Sequence, residues 1–459
     1  MFGTSGIRGR VGEEVTCELA LSIGRALAAE GYGTVVVGRD SRESGEVLAD
    51  AVAAGVREGG SDVVRVGMAA TPTIARAVAW VDGDAGVSVT ASHNPAHDNG
   101  LKLWTRSGRA FDGDQQAAVA RRVREDDYAL VDAASVGDQR RLADAIDRHA
   151  DALEAAVDAD LDGLSVVVDV GNGMGGVTAT VLDRLGADVQ TLNAQPDGSF
   201  PGRPSEPTAE HCGALAALVP AIDADLGIAH DGDADRTMAV TADGEFLAGD
   251  VLLAVFATDA AGESERVAAP LNTSLAVDDA LADQGASLVH TKVGDGFVAE
   301  ATEEDGVAFG GEMSGAWIWP AETQCPDGPL AAVKLAALVA TVGSLAELAA
   351  DVDAYPTRRE SVDVADKTAV MERVADAVLA DVDAGGDAEA GGDGGGESVD
   401  DRDGVRVDTD DGWFLVRASG TQPLVRVTAE ARSPERSDAL AERAREYLDD
   451  AIAAVERDG

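Results

Sequence analysis

Lysine is nearly missing from this 459-residue chain: only Lys102, Lys292, Lys334 and Lys367 occur, among 36 basic residues set against 84 acidic ones. The formal net charge of -48 repels nucleic acid and anionic lipid alike, which excludes both as partners. Cysteine is scarce too. Cys17, Cys212 and Cys325 are odd in number and far apart, so they build neither a disulfide framework nor a CxxC metal site, and reduced thiols are expected. Aromatic residues make up 4% of the chain, so its cores must come mainly from the Val, Ala and Leu within the 45% apolar content. No run of 18 apolar residues occurs, which excludes a helical membrane span. No basic leader or apolar segment opens the sequence, so the expectation is a cytoplasmic protein without a secretory signal. The acids are dispersed and not gathered into a tail, a pattern that resembles the surface acidification of proteins from salt-loving archaea.

What is present is alternation. β-Branched runs such as Val35-Val36-Val37, Val63 to Val66, Val166 to Val170 and Leu226 to Ala229 alternate with Ala/Leu/Arg/Glu-rich helical stretches. That order predicts α/β layers with largely parallel sheets, whose ligands bind at the carboxyl ends of strands. The length calls for three or four domains, with boundaries placed at 1–150, 151–250, 251–355 and 356–459. A long helix is expected from Arg140 to Val157, joining the first unit to the second. Residues 385–403 are nearly all Gly, Asp, Glu and Ala and are expected to form a disordered surface insertion. The alternating strands at 413–416 and 424–427, with a closing helix from Ser433, suggest a small α+β domain at the end.

Four stretches carry candidate chemistry. Thr90-Ala91-Ser92-His93-Asn94-Pro95 follows the apolar strand 85–89, so a strand-end loop presents the Ser92 hydroxyl; in isolation the stretch also reads as a polar turn. Asp231-Gly232-Asp233-Ala234-Asp235-Arg236 follows another buried strand. Carboxylates at alternate positions of an irregular loop can converge on one hard cation, and magnesium, which takes few carboxylates and completes its shell with phosphate oxygens, suits them. Gly310-Gly311-Glu312-Met313-Ser314-Gly315 offers a carboxylate and a hydroxyl for sugar hydroxyls, or is a plain turn. Arg417-Ala418-Ser419-Gly420-Thr421-Gln422-Pro423 combines a guanidinium, hydroxyls and turn N–H groups into a cradle for a phosphate dianion. In a chain this poor in lysine, those that remain should stand where an ammonium is required. Lys102, ten residues after Ser92, and Lys292, in a strand-end loop, are candidates for neutralising a phosphoryl group or shuttling a proton. Gly171-Asn172-Gly173-Met174-Gly175-Gly176 fits a dinucleotide fingerprint, but the next strand closes on Thr191-Leu192-Asn193 without the required acid.

Together and in this order, with Phe2-Gly3-Thr4-Ser5-Gly6-Ile7-Arg8-Gly9 at the start, these motifs resemble the α-D-phosphohexomutase superfamily over nearly the whole chain. The resemblance implies four domains around a central cleft, three α/β/α and the last similar to the TATA-binding-protein fold. It implies a phosphoserine at Ser92, formation of which is required for activity, and one magnesium held by Asp231, Asp233, Asp235 and a phosphoserine oxygen. Arg8 and His93 would line the phosphoserine pocket, with Lys102 as proton shuttle. Arg236, Glu312 and Ser314 would contact the sugar. Arg417, Ser419, Gly420 and Thr421 would grip the non-reacting phosphate, helped by Lys292 and Arg426. The implied reaction interconverts hexose 1- and 6-phosphates through a bisphosphorylated sugar. Positioning and charge neutralisation dominate such a transfer.

Two positions depart from the family pattern. Ala316 stands where many relatives carry a histidine after the sugar loop, and Ala418 where the family often has proline. Ala316-Trp317-Ile318 and Cys325-Pro326-Asp327-Gly328 resemble archaeal members acting on glucosamine phosphate. That favours conversion of glucosamine 6-phosphate to the 1-phosphate over a gluco- or mannomutase. A metal-dependent phosphatase using Asp231 as nucleophile and a non-catalytic sugar-phosphate binder are the competing classes. A monomer and a homodimer are both compatible with the sequence.

Overall fold

In the computed structural model, which describes residues 1–3, 6–386, 397–419 and 423–458, Val35, Val36 and Val37 are buried on both faces of their strand. That is the signature of a sheet covered by helices on each side. The first unit contains β1 (Ile7–Arg10), α1 (Cys17–Ala29), β2 (Thr34–Arg39), α2 (Gly45–Glu58), β3 (Asp62–Met68), α3 (Thr71–Trp80), β4 (Ala85–Val89), β5 (Asp98–Trp104), α4 (Gly113–Glu125) and β6 (Gln139–Arg141). Its strands lie in the order β1-β5-β4-β2-β3-β6. β2 pairs in parallel with β3 and β4, and β6 with β3, while β4–β5 and β5–β1 are antiparallel. α1 and α2 meet at two glycines. A Cβ on Gly24 would stand 2.3 Å from the Val52 carbonyl oxygen, and one on Gly55 2.1 Å from that of Leu21, so only glycine permits this approach.

The second unit comprises α5 (Ala145–Ala155), β7 (Ser165–Asp169), α6 (Gly176–Arg184), β8 (Asp188–Leu192), α7 (Gly213–Ala221), β9 (Leu226–His230) and β10 (Thr237–Thr241), in the strand order β10-β9-β7-β8. The third has α8 (Gly249–Ala260), β11 (Arg266–Pro270), α9 (Leu275–Ala282), β12 (Ser287–Thr291), α10 (Asp295–Ala301), β13 (Val307–Glu312), β14 (Ala316–Ile318), α11 (Gly328–Val342) and α12 (Leu345–Ala350), in the order β12-β11-β13-β14. Both sheets are parallel except for their last hairpin, β9–β10 and β13–β14. Those two hairpins turn through the aspartate loop and the Glu312–Ser314 loop. In the third unit Phe256, Phe309, Trp317 and Trp319 form an aromatic cluster with ring centroids 4.8–6.4 Å apart.

The last unit is different in kind. β15 (Thr357–Asp363), α13 (Lys367–Gly386), β16 (Ser398–Asp400), β17 (Val405–Thr409), β18 (Gly412–Ala418), β19 (Leu424–Ala431) and α14 (Pro434–Asp458) form an antiparallel sheet, β15-β19-β18-β17-β16, with two helices. Val374, Val378, Leu440 and Leu448 from the helices share its core with Phe414, Val416 and Val427. Three α/β layered units and a terminal α+β unit are therefore present, as the sequence implied.

Two local expectations change. The stretch 140–157 is not one helix: residues 139–141 pair in parallel with Val63 to Arg65 as an edge strand, and the helix begins only at Ala145. Pairing with a half-satisfied strand outweighed helix propensity. In the insertion, α13 continues to Gly386 and Ser398–Asp400 pairs with Arg406–Asp408, so ordered structure enters both ends of the stretch that composition marks as disordered. Residues 387–396 lie outside the described residues. No helix among the described residues is long and apolar enough to cross a membrane.

Candidate active site

Ser92 follows β4 and takes a left-handed conformation, φ +51°, which is unusual for a residue with a Cβ. Its N–H donates to the Thr90 hydroxyl at 2.8 Å. Its Oγ, buried, donates to Asp231 Oδ2 at 2.6 Å and lies 3.4 Å from both Asp235 Oδ1 and His93 Nδ1. The first two partners belong to the β9–β10 turn, more than a hundred residues along the chain. Gly232 is what lets the loops touch: a Cβ there would stand 2.8 Å from the Ser92 carbonyl oxygen and 2.6 Å from Ser205 Oγ.

Asp231, Asp233 and Asp235 are all buried, and one carboxylate oxygen from each lies within 4.8 Å of the others. Ala234, at φ +57°, turns the backbone so that alternate side chains face one point. Burial and the neighbouring carboxylates push Asp231 well above the usual range, and Asp235 is raised by burial and Asp233 in spite of Lys102. At Asp233 burial acts in the same sense but is overcome by Lys102, the Thr71 hydroxyl and Arg8, which hold this carboxyl below its ordinary value. Thr71 Oγ1 donates to Asp233 Oδ2 at 2.7 Å, yet Asp233 Oδ1 is buried with no hydrogen-bond partner among the described residues. Three desolvated, mutually repelling carboxylates with an orphaned oxygen are unfavourable alone and fit a hard divalent cation.

Around this centre stand the cations. Lys102, on β5, is buried and bonds Asp235 Oδ2, with Asp233 Oδ2 at 3.5 Å. Burial favours its neutral form, but the two aspartates outweigh it and keep the ammonium protonated. That ammonium places a positive charge directly beside two of the three aspartates. Arg8, on β1, has a buried Nε with no partner among the described residues. Burial, Arg236, Arg8 and Lys102 drive His93 down to about 2, so its imidazole is neutral at any working pH.

The Glu312–Ser314 loop and the end of β18 at Arg417 lie on the third and fourth units. Glu312 accepts from the Gly294 N–H at 2.7 Å and from Ser314 Oγ at 3.3 Å, and its carboxyl is raised by burial and Asp295 against the pull of Arg236. Ala316 forms a bridge with Arg236, so this departure sits beside the aspartate loop. A cavity of about 410 Å³ between the third and fourth units is lined by Arg417 and Arg426 together with Met313 and Val293, the neighbours of Ser314 and Lys292. Lys292 itself is exposed, 5.7 Å over the Phe297 ring. Ser419 is buried and its carbonyl accepts from Lys367, while Gly420 and Thr421 lie outside the described residues. A larger concavity, about 860 Å³, is confined to α13 and α14 and touches none of these residues.

Three partners escaped the sequence reading. Thr71 opens α3, and its side chain anchors Asp233. Arg359 lines the same cavity as Arg417 and Arg426 but sits on a strand without a motif. Asp403 accepts from Arg417 Nε at 2.8 Å and Val293 N–H at 2.9 Å, tying the two loops together from within the acidic insertion, where nothing distinguishes it from its neighbours.

Four family descriptions match the chain in succession. These are phosphoglucomutase/phosphomannomutase alpha/beta/alpha domain I over residues 1–129, domain II over 146–244, domain III over 248–355, and the C-terminal domain over 361–447. The chain belongs to the phosphoglucomutase/phosphomannomutase family. It is therefore a phosphohexomutase, an isomerase-class enzyme that moves a phosphoryl group within a hexose phosphate. A relative from Methanopyrus kandleri, named "Probable phosphoglucosamine mutase", is 43% identical over 99% of this chain and 98% of its own. Among solved structures, a phosphoglucomutase/phosphomannomutase family protein from Burkholderia thailandensis superposes with a TM-score of 0.83, at 28% identity and 98% coverage of both chains. The N-acetylphosphoglucosamine mutase of Aspergillus fumigatus, solved with GlcNAc-6P and magnesium, shares the fold at a TM-score of 0.60 and 16% identity, over 98% of this chain and 96% of its own.

Proposed function

We propose that this phosphohexomutase interconverts glucosamine 6-phosphate and glucosamine 1-phosphate, with Ser92 as its phosphoryl carrier. The observation that carries the reading is the 2.6 Å contact of Ser92 Oγ with Asp231, which joins the hydroxyl loop of one unit to the acidic loop of the next. Asp231, Asp233 and Asp235, with an oxygen of the phosphorylated Ser92, would hold one magnesium ion per chain. Bound there, the ion supplies charge neutralisation for the transferring phosphoryl group. Lys102 and Arg8 add positive charge at the same locus.

The chemistry is two transfers. The bond between phosphorus and the Ser92 oxygen breaks as one forms to the free hydroxyl of the sugar phosphate, and the hydroxyl proton ends on Ser92. The bisphosphate then reverses its orientation and returns its other phosphoryl group. Throughout, Arg417, Ser419, Gly420, Thr421 and Arg426, aided by Lys292, would grip the phosphate that is not reacting, while Arg236, Glu312 and Ser314 hold the sugar. The amino sugar is favoured by the names of relatives such as that of M. kandleri; glucose and mannose phosphates are the alternatives.

Incubation with 32P-labelled glucosamine 6-phosphate tests this directly. An acid-stable label on the wild type that Ser92→Ala lacks, together with loss of turnover and retained sugar-phosphate affinity, is expected. An acid-labile label would instead indicate a phosphatase acting through Asp231. Comparing turnover on glucosamine, glucose and mannose phosphates decides the substrate.

A further inference from the structure

Arg42 is one of two arginines among the largest fully buried side chains, and it lies directly behind the Ser92 loop. One guanidinium serves four loop carbonyls. Nη2 donates to Ser92 O at 2.8 Å and Asn94 O at 2.7 Å, and Nη1 to Pro95 O at 2.6 Å and Asp98 O at 2.9 Å. Nε donates to Asp40 Oδ2 at 3.0 Å, and Asp40 Oδ1 accepts the Arg42 N–H at 3.0 Å. The same Oδ2 accepts from the Thr90 hydroxyl at 2.7 Å, which in turn accepts the Ser92 N–H. Ser205 Oγ, from the second unit, donates to the Ser92 carbonyl at 2.8 Å, and the Phe200 ring covers the guanidinium at 5.1 Å.

We infer that Arg42 is a positioning residue for phosphoryl transfer, the template around which the 92–98 loop is wound so that Ser92 faces the aspartate loop. The left-handed conformation of Ser92 is strained for a residue with a Cβ and persists only if its surroundings over-determine it. Here they do: its carbonyl is held by Arg42 and Ser205, and its N–H by a chain leading back to Arg42 through Thr90 and Asp40. Arg42 is too buried to touch a ligand, so it acts through the loop alone. Only a planar fork with five donors can satisfy these acceptors; a lysine ammonium, with three donors, cannot.

The inference rests on Ser92 being the phosphoryl carrier, and the test separates the two. Arg42→Lys and Ser205→Ala are assayed beside Ser92→Ala, with folding checked by circular dichroism and gel filtration. For Arg42→Lys, kcat on glucosamine 6-phosphate and glucose 1-phosphate should fall about 100-fold, the scale of an ångström-sized misplacement, with KM changed less than about 3-fold. Ser205→Ala should lower kcat about 3- to 10-fold with KM equally flat. The rate at which glucose 1,6-bisphosphate phosphorylates Ser92 should fall in parallel, which a merely loosened fold would not produce. Wild-type kcat in either folded variant, or a loss confined to KM, overturns the inference. If Arg42→Lys does not fold, Ser205→Ala decides. Activity retained by Ser92→Ala would sink the underlying reading instead.

Discussion

Replacing Glu312 by glutamine should make the third unit more stable at neutral pH while impairing catalysis. Glu312 ends β13 and keeps two hydrogen bonds, from Gly294 N–H and Ser314 Oγ. Even so, burial, reinforced by Asp295, raises its carboxyl from an ordinary 4.5 to about 7, against the opposing effect of Arg236. Below pH 4.5 the group is protonated in both folded and unfolded chains and costs nothing. Between 4.5 and 7 the unfolded chain releases its proton while the fold retains it, so stability falls as pH rises. Above 7 both forms are ionised and the penalty is complete. At about 1.4 kcal/mol per pH unit it amounts to about 3 kcal/mol. Glutamine is nearly isosteric and carries no charge, so Glu312→Gln should lack this slope. Because four units need not unfold together, hydrogen exchange of α8 and β13 at pH 4.5 and pH 8, in EDTA, reads the unit concerned. The variant should match the wild type in relative terms at the lower pH and exceed it by about 3 kcal/mol at the higher. Parallel pH profiles for the two proteins would refute the reasoning.

Other outcomes follow from the same geometry. Magnesium at about 100 times its Kd should raise stability by about 2.7 kcal/mol, and Asp233→Asn should abolish that gain along with turnover, as read by thermal denaturation with and without EDTA. Asp327 is buried at the start of α11, 2.8 Å from Arg76 Nε and 3.1 Å from His149 Nε2. Despite its burial, His149 and Arg76 hold its carboxyl well below the usual range, so the stability it contributes is fully present above pH 3.8 and fades only in strong acid. Asp327→Asn leaves Arg76 buried without its charge partner and should cost about 3–5 kcal/mol in urea unfolding. Cys17 is exposed, whereas burial raises Cys212 to about 11 and holds Cys325 well above the ordinary thiol range, so a thiol reagent should label one cysteine in the native protein and three after denaturation.

The motif loops were legible because each joins a buried apolar strand to residues of unusual chemistry. Ser92, Asp231, Asp233 and Asp235 stand just past strands whose periodicity is plain, and the structure brings them together. Glu312 and Arg417 were singled out from their loops, whereas Arg426, inside β19, was pointed to only by the family resemblance; Arg417 and Arg426 line the cavity between the third and fourth units. What was not legible depends on contacts that no local pattern encodes. Residues 139–141 become a strand only because β3 offers an open edge. Asp403 matters only because folding sets it between Val293 and Arg417. The protonated state of Lys102 could not be anticipated either, since a buried lysine alone would be driven neutral and only the two carboxylates beside it reverse the sign.

Local rules are broken at several points where the first two units meet. Ser92, Asn172, Phe200 and Ala234 all have left-handed backbone, and all lie on loops that converge on the Ser92–Asp231 contact or support it. Buried charges gather there too: Asp40 with Arg42, Asp169 with Arg203, and Asp233 and Asp235 with Lys102. Arg203 donates to Asp169 and to the carbonyls of Pro204, Ser205 and His230, so the loop that delivers Ser205 is itself wound around a guanidinium, much as the Ser92 loop is wound around Arg42. Two buried arginines thus brace the two loops whose ends meet at the serine, and each replaces water as the partner of carbonyls that would otherwise be unsatisfied. A site that must hold several like charges at one point needs that bracing, because the repulsion among them would otherwise be relieved by movement of the loops and not by a bound cation.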